Sequence, residues 1–105
     1  NDPTFVEAAR KLAELAIKNG GSDDEKLAFL WKRTLSRAPD SEELTLARGL
    51  LARRRADYAA DPQAAAELLA VGIAPRDKNL DERELAAWAA TSRAVLNLHE
   101  AIARY

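Results

Sequence analysis

Five times in this chain a short oxygen-bearing side chain stands where a helix can begin, and glycine or proline stands where one must end. Ser22-Asp23-Asp24-Glu25, Asp40-Ser41-Glu42-Glu43 and Asp81-Glu82-Arg83-Glu84 each set a capping residue three positions before a Glu. In that spacing the cap oxygen and the Glu carboxylate satisfy two orphan amides reciprocally, and the acids favour the positive helix end. Asp2-Pro3 and Asp61-Pro62 add a cap followed by a first-turn proline. Gly20-Gly21, Pro39 and Gly72 are the stops.

The segments between these signals have helical periodicity. The first helix is predicted at about 3–18, with Phe5, Ala8, Ala9, Leu12, Leu15 and Ala16 recurring on its apolar side. The second carries Leu27, Leu30, Trp31, Thr34 and Leu35 and closes at about Arg37, because the residue before Pro39 avoids helical geometry. The third runs to about Ala60 with Leu44, Ala47, Leu50, Leu51 and Tyr58 near one face, and a short fourth spans Gln63 to Val71. Gly72 to Leu80 reads as the one long loop, and the apolar Ile73 and Ala74 at its start, with Val71 before it, are expected to fold back onto the helices. The last helix, with Leu85, Trp88, Ser92, Val95, Leu96, His99 and Ile102 inward, reaches the C-terminus. Its 24 or so residues would extend ~36 Å, the width of a small domain. No alternating strand pattern competes. The expectation is one all-α domain over 1–105, a compact bundle of about five helices with the long C-terminal helix as the central packing element.

Composition decides which chemistries can be dropped. Of the 48% hydrophobic residues, 23 are Ala, so 27 larger apolar side chains must build the core. A chain with no Cys has no disulfide, thiolate-bound zinc, iron–sulfur cluster, CxxCH haem attachment or thiol nucleophile. Sixteen Lys and Arg against 17 Asp and Glu give no basic excess to displace counterions from a nucleic acid. The longest uncharged runs, Leu68 to Pro75 and the equally long Leu85 to Ser92, are too short to cross a bilayer. The chain opens at Asn1 and has no Met, and so reads as a piece excised or processed from something longer.

No reaction is legible. His99-Glu100 suggests a zincin helix, but position 103 is Ala and the chain has no second His. Most acids are explained by the helix starts, and no Ser lies in a GxSxG elbow. Arg53-Arg54-Arg55, with Arg48 a turn earlier, is the basic run. Helices two and three could imitate a helix-turn-helix, yet the base-reading positions would be Ser41, Glu42 and Glu43, which phosphates repel. Consecutive arginines also point in different directions around a helix, so a solvated face is the simpler reading. Trp31 and Trp88 are expected in the core. Catalytic, cofactor and metal assignments are none.

Several strings resemble one family. The opening Asn1-Asp2-Pro3-Thr4-Phe5-Val6-Glu7-Ala8-Ala9-Arg10 and the turn Leu35-Ser36-Arg37-Ala38-Pro39 are two of them. Leu68-Leu69-Ala70-Val71-Gly72, Pro75, Asp77, Leu80-Asp81 and Leu85-Ala86-Ala87-Trp88 follow in order, and the ending Leu96-Asn97-Leu98-x-Glu100-x-Ile102-x-Arg104 completes the pattern. Together they are similar to the C-terminal part of a planctomycete family, the PSD-type domain of unknown function at the carboxyl end of large multidomain proteins. The resemblance implies an exported parent, in the cell envelope or secreted, often with a cytochrome-c-like region upstream that would hold any haem ligands. It supplies no catalytic residues for these positions. Where that pattern has Asn-Leu-Asp-Glu, this chain has Asn97-Leu98-His99-Glu100.

Two readings from different classes follow. The first is a non-catalytic helical packing or protein-interaction module, its partner being the upstream domains of its parent or another protein. Its candidate contact residues are Asn97, Glu100 and Arg104, which share a helix face, with Asn1 and Asp2. The second is a fragment of an active site completed by upstream regions of a hydrolase or oxidoreductase. Buried, poorly paired polar side chains near Asn97 or the loop would favour that reading. Nucleic-acid binding ranks third.

Overall fold

The caps foreseen in the sequence form, and they set where each helix starts. In the computed structural model, which describes residues 2–103 and the side chains of residues 2–101, α1 spans Pro3–Asn19, α2 Asp23–Leu35, α3 Ser41–Ala60, α4 Pro62–Leu69 and α5 Glu82–Ala103. Ser22 Oγ accepts the Glu25 amide at 3.2 Å while Glu25 Oε1 accepts the Ser22 amide at 2.9 Å. Asp40 and Glu43 exchange the same pair at 2.8 and 2.9 Å. The third signal forms only half a box. Asp81 Oδ2 accepts the Glu84 amide at 2.9 Å, but the Glu84 carboxylate turns away to Arg55 and the Trp88 indole. Asp61 serves two helices, closing α3 through its amide and opening α4 through its carboxylate.

Helix α5 is the central element. Its 22 residues extend ~33 Å, matching the 34 Å long axis of the molecule, and α1, α2, α3 and α4 all pack on it. Over Leu85, Ala86, Ala87, Trp88 and Ala89 the helix is buried on every side, and the alanines let its neighbours approach closely. Trp88 is fully buried, and Trp31 is 4% exposed. Leu27, Leu30, Leu51 and Leu69 fill the space between them.

Four expectations about packing and boundaries are corrected. The inward face of α1 is Val6, Ala9, Arg10, Ala13 and Ala16, rotated from the apolar set read in the sequence, so Ala8 and Leu15 face solvent. The rotation turns Arg10 inward, where it meets the end of α4. His99 is exposed and Leu96 only half-buried. Helix α2 closes at Leu35, with Ser36 left-handed at φ 62°, and α4 closes at Leu69. The connection from Ala70 to Asp81 does fold onto the body, with Leu80 on the core and polar contacts along the rest. Ile73 is 98% exposed, and the Ala74 and Asp77 amides donate instead to Glu7 and Glu14 of α1.

Candidate functional site

The first turn of α1 and the last turns of α5 meet at one end of the bundle. Asp2, Phe5, Asn97, Glu100 and Ala101 line a shallow cleft there of about 420 Å³. The structure thus brings together three of the five contact residues read from the sequence. Asn1 and Arg104 lie outside the described residues. Asp2 Oδ1 caps α1 by accepting the Thr4 amide at 2.9 Å. Asn97 and Glu100 are exposed, and among the described residues neither makes a hydrogen bond that would tie it into the domain.

A second polar cluster lies under the 70–81 connection and was missed in the sequence. Arg10 is 2% exposed, and its Nη1 donates to the Leu69 carbonyl at 3.3 Å. Glu7 and Glu14 flank it at 3.6 and 3.9 Å. Each carboxylate also takes a backbone amide of the connection, and Lys18 clamps Asp77 at 2.6 Å. The Glu7, Arg10, Glu14 spacing of three and then four residues was the available signal. Arg10 Nε and Nη2 have no hydrogen-bond partner among the described residues, which is the kind of group an active site would show. Yet the charges here compensate one another, and both acids already hold the connection. The cluster acts as a strap.

The arginine run, Arg53 excepted, is spent in the same way. Arg48 pairs with Asp24, and Arg54 with Asp57 at 2.6 Å. Arg55 reaches Asp23 of α2 at 2.6 Å and Glu84 of α5 at 3.1 Å, and Glu84 in turn accepts the Trp88 indole N–H at 3.0 Å. Hydrogen bonding from Arg55 holds the Asp23 carboxyl below the usual carboxylate range. One guanidinium therefore ties three helices over the central tryptophan. This leaves no coherent basic stripe for a nucleic-acid backbone. Among the described residues no three His, Cys, Asp or Glu side chains gather to hold a metal ion.

The third feature is apolar. Between α3 and α5 runs an open trough of about 320 Å³, with Trp31 at its base and Leu46, Leu50, Ala94, Val95 and Leu98 along its walls. Leu46 is 74% exposed. Trp31 Nε1 lies near the Glu43 carboxylate without reaching hydrogen-bond geometry. Glu43 is itself gripped by both Arg37 amino groups, at 2.7 and 2.8 Å, and by the Asp40 amide, which together draw its carboxyl down to about 2. The trough thus has no free charge of its own to offer a charged ligand.

The chain matches no family model, no curated protein and no solved structure. Its function must be argued from these three surfaces alone. Among the described residues no helix is long and apolar enough to cross a membrane.

Proposed function

We propose that this chain is a non-catalytic helical module that packs against another protein. The observation that carries the reading is the trough between α3 and α5. It is apolar surface that the fold leaves open, while nearly all the charge nearby is spent on internal ties. Its size and lining suit aliphatic side chains presented by a partner helix, the helix-in-groove mode. Asn97 and Glu100, exposed and without a hydrogen bond among the described residues, line the separate cleft beside Asp2 near the same end of α5 and give a partner a second, polar point of contact. Read with the family resemblance, the parent is exported, and the partner is an upstream domain of that parent.

Placing a photoreactive side chain at Ala94 in the trough, with exposed Ala59 as control, tests this in the native host. A defined partner should crosslink from position 94 and not from 59. The purified partner should then bind the domain, and Ala94→Glu, which puts a charge into the trough, should weaken binding by about tenfold or more. Equal labelling from both positions, or unchanged binding by Ala94→Glu, overturns the proposal.

A further inference from the structure

Helix α3 has a second exposed face, adjoining the trough at Leu46, that nothing in the monomer explains. Glu42, Leu46, Gly49 and Arg53 follow at steps of four, three and four residues, so at ~100° per residue they form one stripe about 60° wide and ~16 Å long. All four are exposed. Gly49 sits in the middle of a 20-residue helix, where glycine weakens the helix relative to alanine. A Cβ there would meet nothing within 4 Å. No neighbour inside this domain requires the glycine, which leaves open space directly beside the protruding Leu46. Thr45, Leu46, Gly49, Leu50 and Arg53 outline a depression at that place, the four-sided hole into which a knob from a facing helix fits.

The stripe is complementary to itself when reversed. Laid antiparallel against a copy of α3, with the two-fold axis between Leu46 and Gly49, it sets Leu46 opposite Gly49 and Glu42 opposite Arg53. Each match occurs twice by symmetry. Among the described residues neither Glu42 nor Arg53 has an ion-pair partner, although the neighbouring Glu43, Arg48, Arg54 and Arg55 all have one. We propose that two copies of this chain pair antiparallel through this stripe, the Leu46 of each seated over the Gly49 of the other. The inference rests on reading the domain as an interaction module and names a second copy as one of its partners. The contact is small, so the dimer is a weak one that dissociates at roughly tens of micromolar.

Sedimentation equilibrium of the purified chain tests it, with charge reversal as the deciding arm. Glu42→Arg alone and Arg53→Glu alone each set like charges together twice and should weaken the dimer by about tenfold or more. The double variant restores both pairs in swapped order and should recover affinity to within about threefold. Gly49→Lys, on an exposed helical position, should give a monomer with unchanged circular dichroism. A chain that remains monomeric up to about 1 mM, a dimer indifferent to the single reversals, or a double variant as weak as the singles overturns the proposal. None of these residues except Leu46 borders the trough, and Leu46 is left unchanged throughout. A native chain that does not self-associate but still binds its partner therefore sinks the dimer alone, whereas partner binding that Ala94→Glu leaves unchanged sinks the interaction reading.

Discussion

At Gly72 the backbone passes so close to Glu7 that a Cβ would stand 2.7 Å from the Glu7 carboxyl carbon and 2.8 Å from its Cβ. The residue also lies at φ +102°, a region that side-chain-bearing residues rarely adopt. That approach is what lets the Glu7 carboxylate receive the Ala74 amide and fasten the connection to α1. Gly72→Ala should therefore destabilise the domain by about 1–3 kcal/mol in urea unfolding. Combined with Glu7→Ala, which removes the carboxyl carbon and Cγ from the way and leaves only the Cβ, the loss should be smaller than the sum of the two single losses. Strict additivity would show that the contact does not hold the connection.

Arg10 is a buried cation whose loss would strand two acids. With Arg10→Met, Glu7 and Glu14 remain beneath the connection without the guanidinium between them, answered by the Ala74 and Asp77 amides and, for Glu14, by Lys18. Removing one partner of such a group costs about 3 kcal/mol. The triple variant Glu7→Gln, Arg10→Met, Glu14→Gln removes the charges together and should recover a substantial part of that loss. Chemical denaturation of the three proteins measures it. A triple variant less stable than Arg10→Met would mean that the cluster stabilises through its hydrogen bonds to the connection rather than through charge balance.

The turn between α2 and α3 should govern part of the acid response. Arg37 and the Asp40 amide hold the Glu43 carboxyl at about 2 in the folded state, against an ordinary 4.5. A carboxyl depressed by folding contributes stability that is present above its unfolded value and is lost as pH falls through its folded value. The contribution of Glu43 is thus complete above pH 4.5 and fades towards pH 2. Asp23, Asp24, Glu25 and Asp77 are shifted in the same direction by their own partners, so the whole domain should weaken across this range. Glu43 is isolated by difference. The stability gap between the native chain and Glu43→Gln should be wide at pH 6 and should narrow by pH 2.5. A gap that stays constant would remove the Arg37 interaction as its cause.

Helix starts were legible because a cap is a local device. Ser22 with Glu25 and Asp40 with Glu43 need only three residues and a backbone to form. The central place of α5 was legible from its length and from Trp88. Rotation of α1 was not, because burying Arg10 between its helix neighbours Glu7 and Glu14 is favourable only once the Leu69 carbonyl, 59 residues along the chain, reaches it. Glu84 departed from its cap for the same kind of reason, since Arg55 and the Trp88 indole compete for its carboxylate from other elements. In the candidate site, helical spacing placed Asn97 and Glu100 on one face, and the packing of α1 brought Asp2 to them. The trough was invisible because Leu44, Leu46, Leu50 and Leu51 spread around α3, and only the position of α5 decides which of them stay exposed.

Gly49 allows the monomer to be tested apart from any assembly. Its Cβ position is open and its backbone is helical, so alanine there loses no contact and regains the helix propensity that glycine forfeits. At protein concentrations low enough to keep the chain monomeric, Gly49→Ala should raise stability by about 1 kcal/mol, which for a domain of this size is a rise in Tm of about 4–8 °C. At high concentration the native chain draws additional stability from pairing by mass action. The advantage of the alanine variant should therefore shrink as concentration rises, because its methyl group occupies part of the space that Leu46 of the second copy would fill. Thermal unfolding followed by circular dichroism across a hundredfold range of concentration measures both effects. An advantage that is the same at every concentration would leave Gly49 without a role in pairing, and a destabilised variant would mean that the space around it is not open.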